Sequence, residues 1–429
     1  MKTYSNYKDS SIEWLGQIPE HWGVKKLFWL SDMTSGTTPE ANYDKYYNNG
    51  EYNWVNTGDL NDDKLLGTSK FVTGVALVDY SALKIVKPNT VIIAMYGATI
   101  GKLSILKISA VANQACCCIS AHEDKLNYNY LFYYLLSNRE HIINMSYGAG
   151  QPNISQDIMK NFYLSYPSLP EQQQIAEYLD LQTAKIDELV QKQNKLIETL
   201  QEKKKSLINH VVTKGLDPDV QMKDSGVEWL GQIPEPWKMK KLKYLAAVRD
   251  IKQQYITGYD YIGLENIESW TGKQVLSKEE QHIDGLANLC FSGDVLFGKL
   301  RPYLAKCTIA NKQSLCSTEI LVLNSIKMSN KLLQYHMLSE NFINDVNGST
   351  YGTKMPRANW EYLSNLKLPL PPSNEQQQIA EYLDQQTTKI DTLINKAKSM
   401  VELLKAHKQS LINSVVTGKI KVIDEDGVA

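Results

Sequence analysis

The chain contains one stretch almost twice: Glu171–Asp187 reads EQQQIAEYLDLQTAKID, and Glu375–Asp391 reads EQQQIAEYLDQQTTKID. The two copies are 204 residues apart and agree at 15 of 17 positions. The match resumes at the same offset, with SLINHVVT in Ser206–Thr213 and SLINSVVT in Ser410–Thr417. Agreement at both ends of each copy predicts that the two copies fold into the same element.

A shorter repeat precedes the body of each half of the chain. Glu13–Trp22 reads EWLGQIPEHW, and Glu228–Trp237 reads EWLGQIPEPW. Each half therefore consists of a leader, a body of more variable sequence and the long repeated stretch. Such a repeat predicts two similar units related by a pseudo-two-fold axis, which suits a partner with two-fold geometry of its own.

The long repeated stretches have the heptad pattern of a coiled coil, with alternating steps of four and three residues. Neither contains Gly or Pro; Pro170 and Pro371 precede them, and Gly215 and Gly418 follow them, as is typical of helix ends. Each predicted helix has about 40 residues and is about 60 Å long. The predicted coiled-coil seam consists of Ile175, Leu179, Ile186, Leu189, Leu196, Leu200 and Leu207, and of Ile379, Leu383, Ile390, Leu393, Met400, Leu404 and Leu411.

We expect these two stripes to pack on each other, because a globular core of ordinary size does not need so long a helix. Antiparallel pairing is favoured, because the connection of about 19 residues at 214–232 could only just span a helix of that length when fully extended. The alternative, in which each helix packs on its own body, stays open. The predicted fold class is α+β, with two globular mixed α/β domains at opposite ends of an antiparallel two-helix coiled coil.

The two bodies differ in sequence but share landmarks at the offset of 204 residues, such as Lys102 with Lys306. A common fold with different loops indicates two related roles with different specificities. The predicted division of the chain is a leader and body at 1–167, a helical region at 168–215, a second leader and body at 216–371, a second helical region at 372–418 and a tail at 419–429.

Several segments of the bodies have a recognisable pattern. Runs typical of buried strands are Val91–Met95, Val111–Ser120, Asp294–Phe297 and Glu319–Leu323. Runs typical of amphipathic helices are Tyr128–Ser137 and Leu332–Ser339.

The composition is that of a globular protein, with 429 residues, 43% apolar and 22% charged. The polar N-terminus does not resemble a secretory signal, and no apolar run approaches the ~20 residues of a membrane span. Six cysteines without a CxxC pair indicate a reducing, cytoplasmic setting. We expect them to be buried strand residues rather than metal ligands; they are Cys116, Cys117, Cys118, Cys290, Cys307 and Cys316.

Catalytic motifs are incomplete throughout. Gly97–Leu103 (GATIGKL) is one residue shorter than a phosphate-binding loop and ends in Leu where Ser or Thr is required. Gly148–Gly150 lacks the third glycine of a dinucleotide fingerprint. The pair Pro371-Pro372 lacks the amide and the aromatic residue of an amino-methyltransferase loop, and the seven histidines form no metal-binding spacing. Together these failures favour binding over catalysis and predict no metal site.

The net charge of −1 neither indicates nor excludes nucleic-acid binding, because a local basic face is what matters. Polar loops in matching positions of the two bodies carry the residue types that contact DNA. Arg suits guanine O6 and N7, Asn and Gln suit adenine N6 and N7, and Lys suits phosphate. The candidates are Lys102, Asn113, Gln114, Gln151 and Asn153, and Lys299, Arg301, Lys306, Thr318, Lys354 and Arg357.

The repeated motifs resemble those of a known family. Lys8–Trp22 (KDSSIEWLGQIPEHW) and Lys223–Trp237 (KDSGVEWLGQIPEPW) are similar to the leaders of Type I restriction-modification specificity (S) subunits. Leu169–Asp180 (LPEQQQIAEYLD) and Pro371–Asp384 (PPSNEQQQIAEYLD) are similar to the starts of their conserved helices. The resemblance covers the whole chain, in the expected order and in duplicate.

This resemblance implies a non-catalytic DNA-binding subunit whose two target-recognition domains each read one half of a bipartite, asymmetric site. The helical rod would set the spacer between the halves, and Glu171–Asp187 and Glu375–Asp391 would help to hold the modification (M) subunits. The partners would be two M subunits that methylate adenine N6 with S-adenosylmethionine, and two ATP-dependent restriction (R) subunits that need Mg²⁺. The chain itself would hold no cofactor and no metal, and no membrane would be involved.

Two other classes of function stay open at this point. A coiled-coil scaffold that binds only protein would show no sequence-selective binding of duplex DNA. A nuclease or methyltransferase with diverged motifs would show activity in the purified chain alone.

Overall fold

The computed structural model describes residues 3–146, 152–254, 260–275, 285–349 and 356–422. The chain forms two compact units: Met1–Lys192 with Met400–Ala429 (unit 1), and Gln193–Ser399 (unit 2). Each unit therefore contains about half of each long repeated stretch. The division predicted from the sequence instead places each repeated stretch in a helical region of its own. Across the described ranges, no helix combines the length and the apolar character that a membrane crossing requires.

Unit 1 contains twelve described strands and the start of a long helix. The strands are β1 (Tyr7–Asp9), β2 (Gln17–Pro19), β3 (Gly23–Lys26), β4 (Ser31–Ser35), β5 (Tyr52–Val55), β6 (Lys64–Leu65), β7 (Phe71–Val72), β8 (Thr90–Ala94), β9 (Leu103–Leu106), β10 (Ala110–Ala112), β11 (Cys116–Ala121) and β12 (Tyr163–Tyr166). The helices are α1 (Gly74–Asp79), α2 (Tyr128–Ser137), α3 (Arg139–Asn144), α4 (Gln156–Asn161) and α5 (Leu169–Lys214), with 3-10 turns at Leu27–Trp29, Asp44–Tyr46 and Thr57–Asp59.

The centre of unit 1 is a five-stranded sheet in the order β4-β11-β8-β9-β6, antiparallel except for β6 with β9. Both faces of the inner strands are covered, so β8, β9 and the start of β11 are buried on both sides. In β11, Cys117 and Ile119 join the core that contains α2, while Cys116 and Cys118 join the core on the other face. Burial raises the pKa of the Cys116 and Cys117 thiols to about 12. The run of cysteines is therefore a buried strand, as expected.

Unit 2 repeats this plan with its own elements. Its strands are β13 (Met222–Asp224), β14 (Gln232–Pro234), β15 (Lys238–Lys241), β16 (Ala246–Val248), β17 (Lys252–Gln254), β18 (Tyr261–Ile262), β19 (Leu286–Cys290), β20 (Val295–Gly298), β21 (Cys307–Ile309), β22 (Ser314–Cys316), β23 (Ile320–Ser325) and β24 (Lys367–Leu370). Its helices are α6 (Asn330–Met337), α7 (Glu340–Gly348), α8 (Trp360–Leu363) and α9 (Ser373–Val416), with 3-10 turns at Leu242–Tyr244, Leu264–Asn266 and Pro302–Leu304.

Two four-stranded sheets form the body of unit 2, in the orders β16-β23-β20-β21 and β17-β19-β22-β18. The larger core of the unit brings β20 and β23 together with α6, α7, the end of α5 and the start of α9. The start of α9 and the end of α5 therefore share one apolar core in this unit.

The run Val111–Ser120, expected as one buried strand, is two strands in the structure. β10 ends at Ala112, and β11 begins at Cys116. Between them Asn113 forms a turn, because its side-chain oxygen accepts from the Ala115 amide at 3.0 Å and its carbonyl accepts from the Cys116 amide at 3.3 Å. Asparagine competes for backbone hydrogen bonds in this way at turns. The turn places Gln114 at the edge of the sheet.

In unit 1, the leader holds the start of α5 and the end of α9. Trp22 is fully buried and donates from Nε1 to the Glu171 carboxylate at 3.2 Å, and the Tyr4 hydroxyl donates to the same oxygen at 2.6 Å. Gly418, just after α9, has a φ of +74°, and a Cβ there would lie 2.4 Å from Pro19. This close approach explains the glycine that follows the repeated stretch.

Unit 2 has the same arrangement with the other helix ends. Trp237 donates from Nε1 to the Glu375 carboxylate at 2.8 Å, at the start of α9. Gly215, just after α5, has a φ of +79° and lies against both side chains. A carboxylate in the first turn also interacts favourably with the helix dipole. Within each unit, then, the start of one long helix and the end of the other meet at a leader tryptophan.

The inward-facing stripe of the long helices differs from the predicted seam at four positions. Exposed fractions are 45% for Leu189, 46% for Leu196, 50% for Leu393 and 44% for Met400. The residues one position later face inward instead: Val190 and Ile197 are half-buried, and Ile394 and Val401 are buried. The other predicted positions are buried or half-buried, namely Ile175, Leu179, Ile186, Leu200, Leu207, Ile379, Leu383, Ile390, Leu404 and Leu411.

The cause of this one-residue shift lies at Thr183 and Thr387, which are 6% and 7% exposed. Each hydroxyl approaches a tyrosine hydroxyl of the body, Tyr133 at 3.1 Å and Tyr335 at 3.2 Å. These contacts turn Thr183 and Thr387 inward, one position after Gln182 and Gln386, where the heptad spacing places the stripe. Since an aliphatic residue follows each of the four displaced positions, the sequence alone fits either stripe.

Candidate nucleic-acid interface

In unit 1, three segments that are distant in sequence meet at one edge of the central sheet. They are the loop that follows β8, the Asn113–Ala115 turn and the residues that precede α4. The Met95 amide donates to the Ala115 carbonyl at 2.8 Å, and the Ile154 amide donates to the Met95 carbonyl at 2.7 Å. Tyr96 and Asn153 form an isolated β-bridge beside these bonds. Backbone hydrogen bonds therefore bring the side chains of these three segments together at one edge of the sheet.

Unit 2 forms the same three-segment edge at the offset of 204 residues. The Lys299 amide donates to the Glu319 carbonyl at 2.8 Å, and the Ala358 amide donates to the Lys299 carbonyl at 2.8 Å. Leu300 and Arg357 form the corresponding isolated β-bridge. The two edges therefore have the same backbone hydrogen bonds, although their side chains differ.

Local sequence explains why this edge forms in both units. β8 and β20 are buried runs that emerge from the core at Ala94 and Gly298, so the residues that follow them reach the surface. In the third segment a helix begins soon after the bridge. The Ser155 hydroxyl caps α4 by accepting from Ile158, and the Asn359 side chain caps α8 by accepting from Glu361. Such caps fix where a helix begins, and so fix the residues just before it.

Among the candidates of unit 1, Lys102, Gln114 and Asn153 are exposed around this edge. Gln114 accepts a hydrogen bond from the Thr38 hydroxyl. Asn113 is half-buried, and its amide donates to the Asn56 side chain at 3.2 Å. Asn113 therefore holds the turn together. Gln151 lies outside the described residues.

In unit 2, Lys299, Arg301, Thr318 and Arg357 all lie on the corresponding edge, and all but the half-buried Lys299 are exposed. The Arg301 amide donates to the Pro356 carbonyl at 2.8 Å, and Arg301 has a left-handed backbone with a φ of 51°.

Lys306 differs from its neighbours, because its ammonium group donates to the Leu264 carbonyl at 2.6 Å and is half-buried. That contact ties Lys306 to its own fold, whereas Lys102 at the equivalent position of unit 1 is exposed. Lys354 lies outside the described residues.

Glu319 belongs to this edge, although the sequence did not single it out. Its Oε1 accepts from Arg357 Nη2 at 2.8 Å, with 61% of the arginine side chain and 27% of the glutamate side chain exposed. Its Oε2 is buried and has no hydrogen-bond partner among the described residues. The offset of 204 residues could have indicated this position, because Glu319 stands where unit 1 has Ala115 beside Gln114.

A cavity of about 440 Å³ adjoins the edge of unit 2. Lys299, Thr318 and Glu319 line it on one side, and Arg249 lines it together with Asn288. The Arg249 guanidinium is fixed by Asp294, with Nε to Oδ2 at 2.9 Å and Nη2 to Oδ1 at 3.2 Å. Arg249 is therefore held in place where it lines the cavity.

The two edges offer hydrogen-bond donors and acceptors. Within the described ranges, no group of three or more His, Cys, Asp or Glu residues is arranged to hold a metal ion. Exposed Lys, Arg, Asn and Gln side chains on a rigid backbone are the groups that contact phosphates and base edges.

The sequence matches the model of the Type I restriction modification DNA specificity domain over residues 19–199 and again over 234–403. The chain belongs to this family. The two matches correspond to the two halves of the repeat, so the chain carries two DNA-specificity domains, and the family's role is the recognition of DNA sequence.

Relatives of this specificity family match over nearly the whole chain. The specificity subunit of the Type I restriction enzyme MjaVIII of Methanocaldococcus jannaschii is 26% identical over 427 residues, which is 95% of this chain and 94% of that protein. The specificity subunit of the Type I restriction enzyme EcoDI of Escherichia coli is 23% identical over 68% of this chain and 70% of its own length.

Two solved structures share the fold of this specificity-family chain. A chain from a structure on complex assembly and conformational transition of the type I R-M system aligns with a TM-score of 0.71 and 15% identity, covering 94% of this chain and 99% of its own. The HsdS subunit from Thermoanaerobacter tengcongensis aligns with a TM-score of 0.53 and 14% identity, covering 94% and 98%.

Proposed function

We propose that this chain is the non-catalytic, sequence-specific DNA-binding subunit of a Type I restriction-modification enzyme. Each unit reads one half of a bipartite, asymmetric site with its three-segment edge. The observation that carries the proposal is the pair of edges with equivalent backbone bonds and different exposed side chains, Asn153 with Gln114 in one and Arg357 with Thr318 in the other. Two domains with the same backbone arrangement and different exposed side chains suit an asymmetric DNA site.

For function we divide the chain as its repeat does. Target-recognition domains lie in 1–167 and 216–371, helical regions in 168–215 and 372–418, and a tail in 419–429. The helical regions pair antiparallel as a coiled coil and set the spacer between the half-sites. Support comes from the helix ends, which meet at Trp22 in one unit and at Trp237 in the other.

The helical regions also hold the partner subunits. The repeat-equivalent pairs Leu189 with Leu393 and Leu196 with Met400 are exposed on the two long helices. Exposed apolar positions that recur at equivalent places suit a pair of identical partners. We assign this role to two modification subunits that use S-adenosylmethionine to methylate adenine N6. Two restriction subunits that use ATP and Mg²⁺ complete the assembly, which acts on double-stranded DNA in the cytoplasm.

The direct test is selection from a pool of random duplex DNA by the full chain, produced together with its modification subunits. Retained duplexes should share two short constant segments separated by a spacer of fixed length and free sequence. Binding should weaken steeply between about 50 and 200 mM salt, because phosphate contacts release counterions. A protein-only scaffold would retain no sequence selectively, and that result would end the proposal.

A second arm tests the assignment of catalysis. The purified chain without partners, supplied with S-adenosylmethionine and the selected duplex, should transfer no methyl group. Methyl transfer by the chain alone would contradict the non-catalytic assignment, whatever the outcome of the selection.

A further inference from the structure

Asn153 and Arg357 occupy one and the same position in the two units. They are 204 residues apart, and each forms the isolated β-bridge with the second residue after the central strand, Tyr96 for Asn153 and Leu300 for Arg357. The next residue of each segment donates its amide to the carbonyl of the first residue after the strand, from Ile154 to Met95 at 2.7 Å and from Ala358 to Lys299 at 2.8 Å. Both side chains are exposed.

The backbone therefore directs two chemically different side chains from the same place. The Asn153 amide offers one acceptor and one donor group, which matches N6 and N7 of adenine in the major groove. The Arg357 guanidinium offers a planar fork of donors, which matches O6 and N7 of guanine.

The presence of Glu319 beside Arg357 favours a base contact over a phosphate contact for this arginine. The Glu319 carboxylate accepts from Arg357 Nη2 at 2.8 Å, which restrains the guanidinium on the side that faces Glu319. A carboxylate at this distance repels a phosphate but leaves the remaining N–H groups free for a neutral base edge. In unit 1 the equivalent residue is Ala115, which gives Asn153 no such carboxylate.

We propose that residues 153 and 357 are the equivalent base-reading positions of the two units, and that they make the half-sites differ. Asn153 selects an adenine in one half-site; Arg357, oriented by Glu319, selects a guanine in the other. This inference rests on the proposed function and adds to it the residue and the base at one position of each half-site. Glu319 acts as a positioning residue.

The test is selection from random duplex DNA by the full chain with its modification subunits, repeated with Arg357→Asn and Asn153→Arg. Each substitution installs the residue of the other unit. Arg357→Asn should change one guanine of one half-site to adenine, and Asn153→Arg should change one adenine of the other half-site to guanine. Discrimination at the altered position should change by roughly 5- to 150-fold, with every other position unchanged.

Arg301→Asn is the matched control, because it removes the same charge from the same edge of unit 2. Its left-handed backbone, with a φ of 51°, tolerates asparagine well. The guanine position assigned to Arg357 should stay guanine in this variant, whatever the variant does to the strength of binding. If Arg357→Asn behaved like this control, Arg357 would be a phosphate contact and the inference would be wrong.

The positioning role of Glu319 is tested by the base that the chain selects, and not by its folding stability. Glu319→Gln keeps an oxygen that accepts from Arg357 and should keep the guanine preference, whereas Glu319→Ala should reduce it without changing the other half-site. Equal preferences in both variants would remove the positioning role. Absence of any selected sequence with the unmodified chain would instead contradict the proposed function itself, so the two failures are distinguishable.

Discussion

Lys204 donates from Nζ to Asp391 Oδ1 at 2.8 Å, and these side chains are only 7% and 14% exposed. The pair joins α5 to α9 in unit 2, and Lys273 contacts the other carboxylate oxygen at 2.8 Å. Burial acts to raise the pKa of Asp391, but the hydrogen bonds from Lys204 and Lys273 outweigh it and keep that pKa below its ordinary value. At the offset of the repeat, Lys408 and Asp187 form the corresponding pair in unit 1, at 2.7 Å.

Lys204→Met should destabilise unit 2 by about 2–3 kcal/mol, because it leaves a nearly buried carboxylate with one cation in place of two. Lys408→Met is the matched control, since its pair is 30% and 52% exposed and should cost less than about 1 kcal/mol. Urea unfolding of both variants measures the difference. Equal losses would mean that burial does not distinguish the two pairs.

Gly418→Ala should lower the free energy of unfolding by about 2 kcal/mol or more. The substitution forces a left-handed φ of +74° on alanine and places Cβ 2.4 Å from the Pro19 ring. Gly348→Ala is the control, because Gly348 ends α7 and a Cβ added there would point into open space. Thermal unfolding should show a loss for the first variant and no loss for the second; a neutral Gly418→Ala would contradict the close packing of the helix end on the leader.

His336→Phe should remove a pH dependence of stability. Burial lowers the pKa of His336 to about 3, while its ordinary value is 6.5. As the pH falls from 6.5 towards 3, the unfolded chain binds a proton that the folded chain excludes, so stability falls by up to about 1.4 kcal/mol per pH unit. Above pH 6.5 this contribution is constant.

The check on His336 is the difference in unfolding free energy between the variant and the unmodified chain, measured from pH 7.5 to pH 4. The difference should be constant above pH 6.5 and should shift in favour of the variant below it. A constant difference over the whole range would show that the folded protein accepts the proton on His336.

Lys102→Ala should reduce the slope of log affinity against log salt by about one unit, because an exposed lysine at the edge neutralises a phosphate. Lys306→Ala is the matched comparison at the equivalent position of unit 2. Its ammonium group is held by the Leu264 carbonyl at 2.6 Å, so its loss should affect folding stability more than the salt slope. Equal slopes for the two variants would contradict this distinction.

The sequence predicts much of this fold because its strongest signals are local. The Tyr128–Ser137 helix has the predicted bounds, and the predicted strand Val91–Met95 corresponds to β8 at Thr90–Ala94. The sequence does not predict the break at Asn113–Ala115, because the turn is short and depends on hydrogen bonds to the side chain and carbonyl of Asn113.

The inward stripe and the candidate site show what sequence cannot specify. Leu189 and Val190 are both aliphatic, and the inward position of Val190 goes with the contact of Thr183 with Tyr133 in the body. The partnership of Glu319 with Arg357 crosses 38 residues of sequence and depends on a turn meeting a bridge. The candidate DNA-contacting residues stay predictions until binding is measured.

Exchange of Gly23–Pro167 for the corresponding body of another specificity subunit tests the division of labour between the two units. The readout is sequencing of methylated adenines in a host genome that carries the complete system. One half of the bipartite site should change, while the other half and the spacer length stay the same. A change in both halves would contradict the reading of each half-site by its own unit.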